Sequence, residues 1–266
     1  MNLSGSHVIL TGAGGGIGRC LALALAQKGA HLLLVERSLE RLDAVRNEIA
    51  AVKGHAKSFA FDLSANAGHE QVVAAALQEL GGLDLLINNA GLLAFVPLEE
   101  QQPAQIDAIM RVNAIAPMLL TRAALPHLLQ QNSGRIVNIG STFGSIGFAH
   151  FAAYSASKFA VRGFSGALRR ELDDTNVGVT FIAPRATQTA INTDAVNRIL
   201  AKTGANMDPP QQVAELIVAA IENERKDYYI GWPESFFARL NAILPRLVDG
   251  GLRKQARIAR EYAKGN

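Results

Sequence analysis

A chain of 266 residues, 49% hydrophobic and 18% charged, can bury one substantial core and shows no block of disorder-prone composition. Its single cysteine, Cys20, excludes an internal disulfide and fits a reducing compartment, and six scattered histidines without ligand spacing exclude an obvious metal site. The net charge of +3 is uneven, because from Arg239 onward seven Lys/Arg face two Asp/Glu while the rest carries 19 against 21. No nucleic-acid partner is expected.

The opening stretch MNLSGSHVILTG lacks the basic, apolar and small-residue regions of a secretory signal, and the reading finds no apolar run long enough to span a bilayer. A cytoplasmic, soluble chain is expected. In chain order, the strand HVILT (7–11) is followed by a helix over 16–28, HLLLVE (31–36), a helix over 38–52 and KSFAFD (57–62). A helix near 66–80 leads to LDLLINN (83–89), then a long helical region at 104–130, RIVNIG (135–140) and a helix over 152–172. VGVTFIAP (177–184) and DYYIG (227–231) read as the last strands, with two helices between Thr187 and Asn223, the second opened by Pro209 and Pro210. Short, nearly all-apolar strands alternating with helices predict a parallel sheet covered on both faces. No linker or repeat divides the chain.

The first strand runs into Gly12-Ala13-Gly14-Gly15-Gly16-Ile17-Gly18, and a helix opens at once. Glycines there let backbone N–H groups approach a pyrophosphate, and the positive end of the helix favours the anion. Tight turns use the same residues, but this placement points to a dinucleotide. About 18 residues beyond the loop the second strand ends in Glu36-Arg37. A carboxylate there can accept both ribose hydroxyls of NAD and repel the 2′-phosphate of NADP, whereas Arg37 suits that phosphate. The balance of these two side chains leans slightly to NAD.

Tyr154 and Lys158 lie four apart in a helical stretch, so they share a face. An ordinary tyrosine ionises near pH ~10, and a nearby ammonium favours its phenolate, which is what acid–base work at neutral pH requires. Ser141 follows a strand thirteen residues before Tyr154, at the end of such sheets where ligands bind. With Thr11-Gly12 to Gly18, Asp62-Leu63, Asn88-Asn89-Ala90-Gly91 and Asn113, these residues resemble the short-chain dehydrogenase/reductase family in its single-domain branch of about 250 residues.

The resemblance implies a Rossmann-type doubly wound parallel sheet of about seven strands. Residues 1–232 would form one catalytic domain and 233–266 a basic amphipathic helical extension of it. It implies Tyr154 as acid/base, Ser141 as the group that orients the substrate oxygen, and Lys158 as the group that lowers the tyrosine pKa and binds the nicotinamide ribose. Asn113 would hold a water that relays protons from Lys158. Asp62 and Leu63 would meet the adenine end, while Asn89, Ala90 and Gly91 would line the cofactor cleft. A helix-bending polar core residue is the other reading of Asn113. A homodimer or homotetramer is implied by analogy alone.

The family usually shows Pro-Gly after its sixth strand and then a threonine that meets the carboxamide. Here Pro184 is followed by Arg185-Ala186-Thr187-Gln188-Thr189, so arginine stands where the glycine would be. If that position needs φ > 0, arginine carries a steric cost; it could instead bind an anionic substrate group or face solvent. Phe143, Ile146, Phe148, Phe151 and Ile191 suggest an oily pocket for an apolar ketone, alcohol or acyl chain, though core or interface packing uses the same residues.

Phe236, Phe237, Leu240, Ile243, Leu244, Leu247 and Val248 give the tail an apolar face, with Arg239, Arg246 and Arg253 elsewhere. It could dock on another subunit, cover the pocket, rest on a membrane surface or meet a phosphorylated acyl carrier. The functional expectation is therefore hydride transfer on an apolar carbonyl/alcohol pair, with a 3-oxoacyl thioester as a sub-case. A non-catalytic dinucleotide-binding or membrane-surface protein is the rival.

Overall fold

The computed structural model describes residues 1–263; the last three residues of the basic tail, Lys264 among them, lie outside that range. Seven parallel strands form one sheet: β1 His7–Thr11, β2 His31–Glu36, β3 His55–Ala60, β4 Leu85–Asn88, β5 Gly134–Ile139, β6 Val177–Ala183 and β7 Asp227–Tyr229. Their order is β3-β2-β1-β4-β5-β6-β7, so the chain reverses direction across the sheet between β1 and β4. This is the expected Rossmann-type doubly wound sheet, and the crevice at the reversal, outside the carboxyl ends of the strands, is where such sheets bind ligands.

Both sheet faces are buried, which is why the strands are apolar without alternation. Val8, Leu10, Leu32, Leu34, Leu85 and Ile87 point to the face covered by α1 (Gly16–Gln27), α2 (Leu39–Ala51) and α8 (Pro210–Glu222). Ile9, Leu33, Val35, Leu86 and Ile136 point to the other, covered by α3 (His69–Leu80), α5 (Ala116–Gln130) and α6 (Ala152–Glu171). Each fully buried side chain of this size stabilises the fold by about 2 kcal/mol. Ser38 caps α2 by accepting from the Arg41 N–H at 3.3 Å, and Pro210 opens α8.

Three expectations change. β3 begins and ends two residues earlier than expected, because it is a sheet edge where polar His55, Lys57 and Ser58 are tolerated; Asp62 is therefore past the strand. The helical region at 104–130 is not uniform. After α4 (Pro103–Met110) a π-helical turn, Arg111–Ile115, leads into α5. The combined rod Pro103–Gln130, 28 residues with mean hydropathy 1.3, does reach bilayer-spanning length, contrary to expectation. Half of its most apolar stretch is buried, and α5 packs against α3 and the sheet as a core helix.

Beyond β6, α7 (Asp194–Thr203) starts at a Thr193 cap and ends at Gly204 in the left-handed region, φ +64°. The tail folds into α9 (Glu234–Ile243) and α10 (Pro245–Ala263). The buried side of α10, Ala259 and Ala263, packs on Ala195, Val196 and Ile199 of α7.

Candidate active site

At the sheet's reversal point the glycine loop is shaped by close backbone approaches. Gly12 has φ +65°, and a Cβ there would sit 2.7 Å from the Ala90 Cα. A Cβ on Gly18 would strike the Gly12 carbonyl, so only glycine fits. Thr11 Oγ1 accepts from the Asn89 and Ala90 N–H groups at 2.9 and 3.1 Å, while Asn89 Nδ2 donates to the Thr11 and Gly12 carbonyls at 3.0 and 3.2 Å. These bonds fasten the loop to the segment after β4. No side chain caps the start of α1, which leaves its first N–H groups open to an anion. The Glu36 carboxylate lies over Gly14, and Arg41 Nη1 stands 3.5 Å from its Oε1. Together the glycine cradle, the open helix end and this carboxylate fit a nicotinamide dinucleotide.

Ser141, Tyr154 and Lys158 meet on the other side of the crevice. Ser141 follows β5 in extended backbone, φ −168°, and its Oγ accepts from the Phe143 N–H at 3.1 Å. That oxygen is also hydrogen-bonded to the Tyr154 phenol. Phe143 packs edge-on against the Tyr154 ring, centroids 5.9 Å apart. Lys158, one helical turn on, is buried; its Nζ donates to the Ile139 carbonyl at 3.0 Å and lies 5.8 Å from the centre of the tyrosine ring.

Burial pushes the Tyr154 phenol up to about 12, opposed by the Ser141 hydrogen bond. Burial brings the Lys158 ammonium down to about 8. Contrary to the expected lowering of the tyrosine by Lys158, enclosure dominates at both groups, and at neutral pH the phenol keeps its proton while the lysine remains largely charged.

Asn113 sits behind these groups, in the π-helical turn. Its Nδ2 donates to the Leu92 carbonyl at 2.8 Å and to Ser157 Oγ at 3.0 Å, and its Oδ1 accepts from the Leu92 N–H at 2.7 Å. Ser157 Oγ in turn donates to the Tyr154 carbonyl at 2.7 Å. The asparagine thus ties the turn that carries Tyr154 to the loop after β4, and most of its hydrogen-bonding capacity is spent there.

Arg185 neither faces solvent nor strains the backbone. Its Nε and Nη2 donate to both Asp208 oxygens at 2.9 and 2.7 Å, and its Nη1 donates to the Trp232 carbonyl and to Glu234 at 3.0 and 3.2 Å. The φ of Arg185 is not positive, so the glycine of the family pattern is not needed for conformation. The arginine clamps the loop after β6 to the start of α9. Nearby, Asn192 Nδ2 donates to the Thr187 carbonyl at 2.8 Å, and the Thr189 side chain stands against Gly16.

One cleft of about 980 Å³ joins these parts. Of the expected site residues, Gly12, Gly16, Ile17, Gly18, Glu36 and Arg37 line its dinucleotide end, with Asp62, Leu63, Asn89, Ala90 and Gly91. Ser141, Tyr154, Lys158, Pro184, Thr187 and Thr189 line its middle. Gly14, covered by the Glu36 carboxylate, and the buried Asn113 do not line it. Asp62 is turned back on Ser64, whose N–H and Oγ–H both donate to it, holding its carboxyl below the usual range. All five expected oily residues line the cleft.

Arg41, Leu92, Leu93 and the α7 residues Val196, Ile199 and Leu200 also line the cleft and were not among the expected site residues. The apolar spacing of the α7 residues was visible, but not the face they would meet. Among the alternatives for the tail, Phe237, Leu240, Leu247, Val248 and Leu252 line the same cleft.

A family model described as short chain dehydrogenase matches residues 6–199. The chain is 35% identical to the ketoacyl reductase HetN of Nostoc sp. over 86% of its length and 79% of the relative's. It is 30% identical to the mouse (Mus musculus) 3-ketodihydrosphingosine reductase, covering 83% and 70%. Among solved structures, a metagenomic short-chain oxidoreductase in complex with NADP is similar with a TM-score of 0.73, at 33% identity over 86% of this chain and 97% of that one. A short-chain dehydrogenase/reductase from Burkholderia phymatum in complex with NAD gives a TM-score of 0.84, at 25% identity over 93% and 96%. With a dinucleotide cradle, a Ser-Tyr-Lys cluster and these relatives, the chain belongs to the short-chain dehydrogenase/reductase family and is an NAD(P)-dependent oxidoreductase acting on CH–OH or carbonyl groups.

Proposed function

We propose that the substrate is an apolar ketone or its secondary alcohol, and that Tyr154 is the acid/base. The observation that carries this reading is the Ser141-bonded phenol, backed by Lys158, where the glycine cradle meets the oily wall. A bound nicotinamide dinucleotide supplies the hydride in reduction and takes it in oxidation. Gly12, Gly16, Ile17 and Gly18 would hold its pyrophosphate, Glu36 its adenosine ribose, and Leu63 its adenine. Ala90, Gly91, Pro184, Thr187 and Thr189 would flank the nicotinamide end.

Ser141 holds the substrate oxygen. Tyr154 donates its proton to that oxygen as negative charge develops, and accepts it back in the reverse direction. Lys158 stabilises the phenolate left behind and binds the nicotinamide ribose. Asn113 acts as a positioning residue through Leu92 and Ser157. Burial keeps the phenol protonated at neutral pH, which is the form that carbonyl reduction uses. Both relatives described above are named as reductases of keto compounds, which supports the same direction and keeps a 3-oxoacyl thioester among the candidate substrates.

Tyr154→Phe is expected to keep dinucleotide affinity and to lower the rate by about 10²- to 10⁴-fold; turnover near the wild-type rate rejects the assignment. Glu36 over Gly14 supports NAD as the preferred cofactor, although Arg37 and Arg41 beside it suit a 2′-phosphate. Glu36→Ala is expected to raise the relative use of NADP in steady-state assays with both cofactors. An unchanged ratio removes Glu36 from the ribose.

A further inference from the structure

We propose that the exposed end of the α9–α10 pair is a docking surface for an anionic lipid bilayer, and that docking turns the mouth of the cleft toward the membrane. Among the described residues, 14 large hydrophobic side chains are exposed, and six of them fall between Trp232 and Leu247. Ile243 is 77% exposed, Trp232 70% and Leu247 63%, with Leu244, Phe236 and Phe237 beside them. Such concentration marks an interaction surface rather than scattered surface residues. An aromatic and aliphatic tip of this kind suits the boundary between headgroups and acyl chains.

The charge around the tip says what covers it. Arg239, Arg246, Arg253 and Lys254 are exposed and, among the described residues, form no ion pair. The nearby acids are Asp249 and Glu234, and Glu234 is already engaged by Arg185. In a two-fold pairing of identical copies these unpaired cations would be brought against one another, which is repulsive. An anionic headgroup layer neutralises them at about fivefold in affinity per cation.

The tip is also continuous with the substrate cleft. Val248, Leu252, Ala256 and Ala259 face inward as one wall of it, while Arg246, Arg253 and Arg257 fall on the opposite side of α10. Phe237, Leu240 and Leu247 extend that wall outward along the pair. An apolar molecule dissolved in the bilayer therefore has an unbroken oily path toward Tyr154. This last step rests on the apolar-substrate reading above; the docking itself does not.

The test is flotation of the purified full-length protein with phosphatidylcholine vesicles and with vesicles that also contain phosphatidylglycerol. The wild type should float with the anionic vesicles at low salt and less at high salt. Arg239→Glu/Arg246→Glu should weaken partitioning about fivefold or more per charge, and Ile243→Glu/Leu244→Ser about tenfold. None of these four residues lines the cleft, so turnover of a water-soluble ketone should stay within about twofold of wild type and show that the variants are folded.

Wild type that stays at the bottom of the gradient, or variants that float as well as wild type, overturns the proposal. So does light scattering in which Ile243→Glu/Leu244→Ser splits a dimer while the wild type shows no vesicle binding, since the face is then a subunit contact. Flotation lost in the variants, with no turnover of long-chain ketones by any form, upholds the docking and rejects the substrate reading.

Discussion

At the carboxyl ends of the strands, Tyr154 and Lys158 are enclosed by protein, and burial moves the phenol up to about 12 and the ammonium down to about 8. At the amino ends of the same sheet His7, His31 and His55 stand in register on β1, β2 and β3. Their rings meet edge-on, with centroids 5.6 and 4.9 Å apart. Partial burial, with His55 and His7 beside it, holds His31 below the usual histidine range, and Asp84 lies 3.1 Å from His7 Nδ1. One end places titrating groups where a substrate can reach them and water is scarce. The other leaves them at an open rim, where the titration of His31 is coupled to folding and not to chemistry.

Replacing Lys158 should break this contrast most strongly. Lys158→Met is expected to lower the rate by about 10²-fold or more in a steady-state reduction assay. It should also remove the fall in wild-type activity above pH about 8, where the ammonium loses its proton. The same substitution should raise the thermal midpoint near neutral pH. A lysine whose pKa is lowered in the fold disfavours folding most below its folded value, and that penalty fades as pH rises toward the unfolded value. A variant that is both less stable and still active would refute the division of labour.

Arg185→Ala should have a smaller effect, about 2 kcal/mol in urea unfolding, because it leaves Asp208 with a buried unpaired carboxylate. It should also raise KM more than it lowers kcat, since the clamp holds the wall of the cleft and touches no reacting atom.

The smallest effect belongs to the histidines. His31 has a lowered folded pKa, so its contribution is complete above the unfolded value near pH ~6.5 and is lost as pH falls below it. His31→Gln should flatten the dependence of the unfolding midpoint over that window without altering the activity profile.

The sheet was legible because the strands are buried on both faces, and uninterrupted runs such as HLLLVE have few other uses. Tyr154 and Lys158 could be read because one helical turn fixes their relation locally. Arg185 could not. Its carboxylate partners lie 23 and 49 residues away, a distance that no local pattern spans. The π-helical turn at Asn113 was hidden as well, since a hydrogen bond lengthened by one residue leaves the composition of a helix unchanged. At β3 the apolar Phe59 and Phe61 drew the expected strand two residues too far. Phe61 instead packs on His69 beyond the sheet edge.

The arginine at position 185 has a counterpart that the family pattern does not advertise. Gly231 has φ +103°, and a side chain there would come within 2.5 Å of the Arg185 Cδ. The bulk in this contact lies on the loop, and the chain leaving β7 makes room for it. Gly231 is thus held twice over, by a left-handed backbone that disfavours any side chain and by the arginine stem that fills the space. Engineering at either position has to treat the pair together, because a side chain at 231 meets a collision and a small residue at 185 leaves a void.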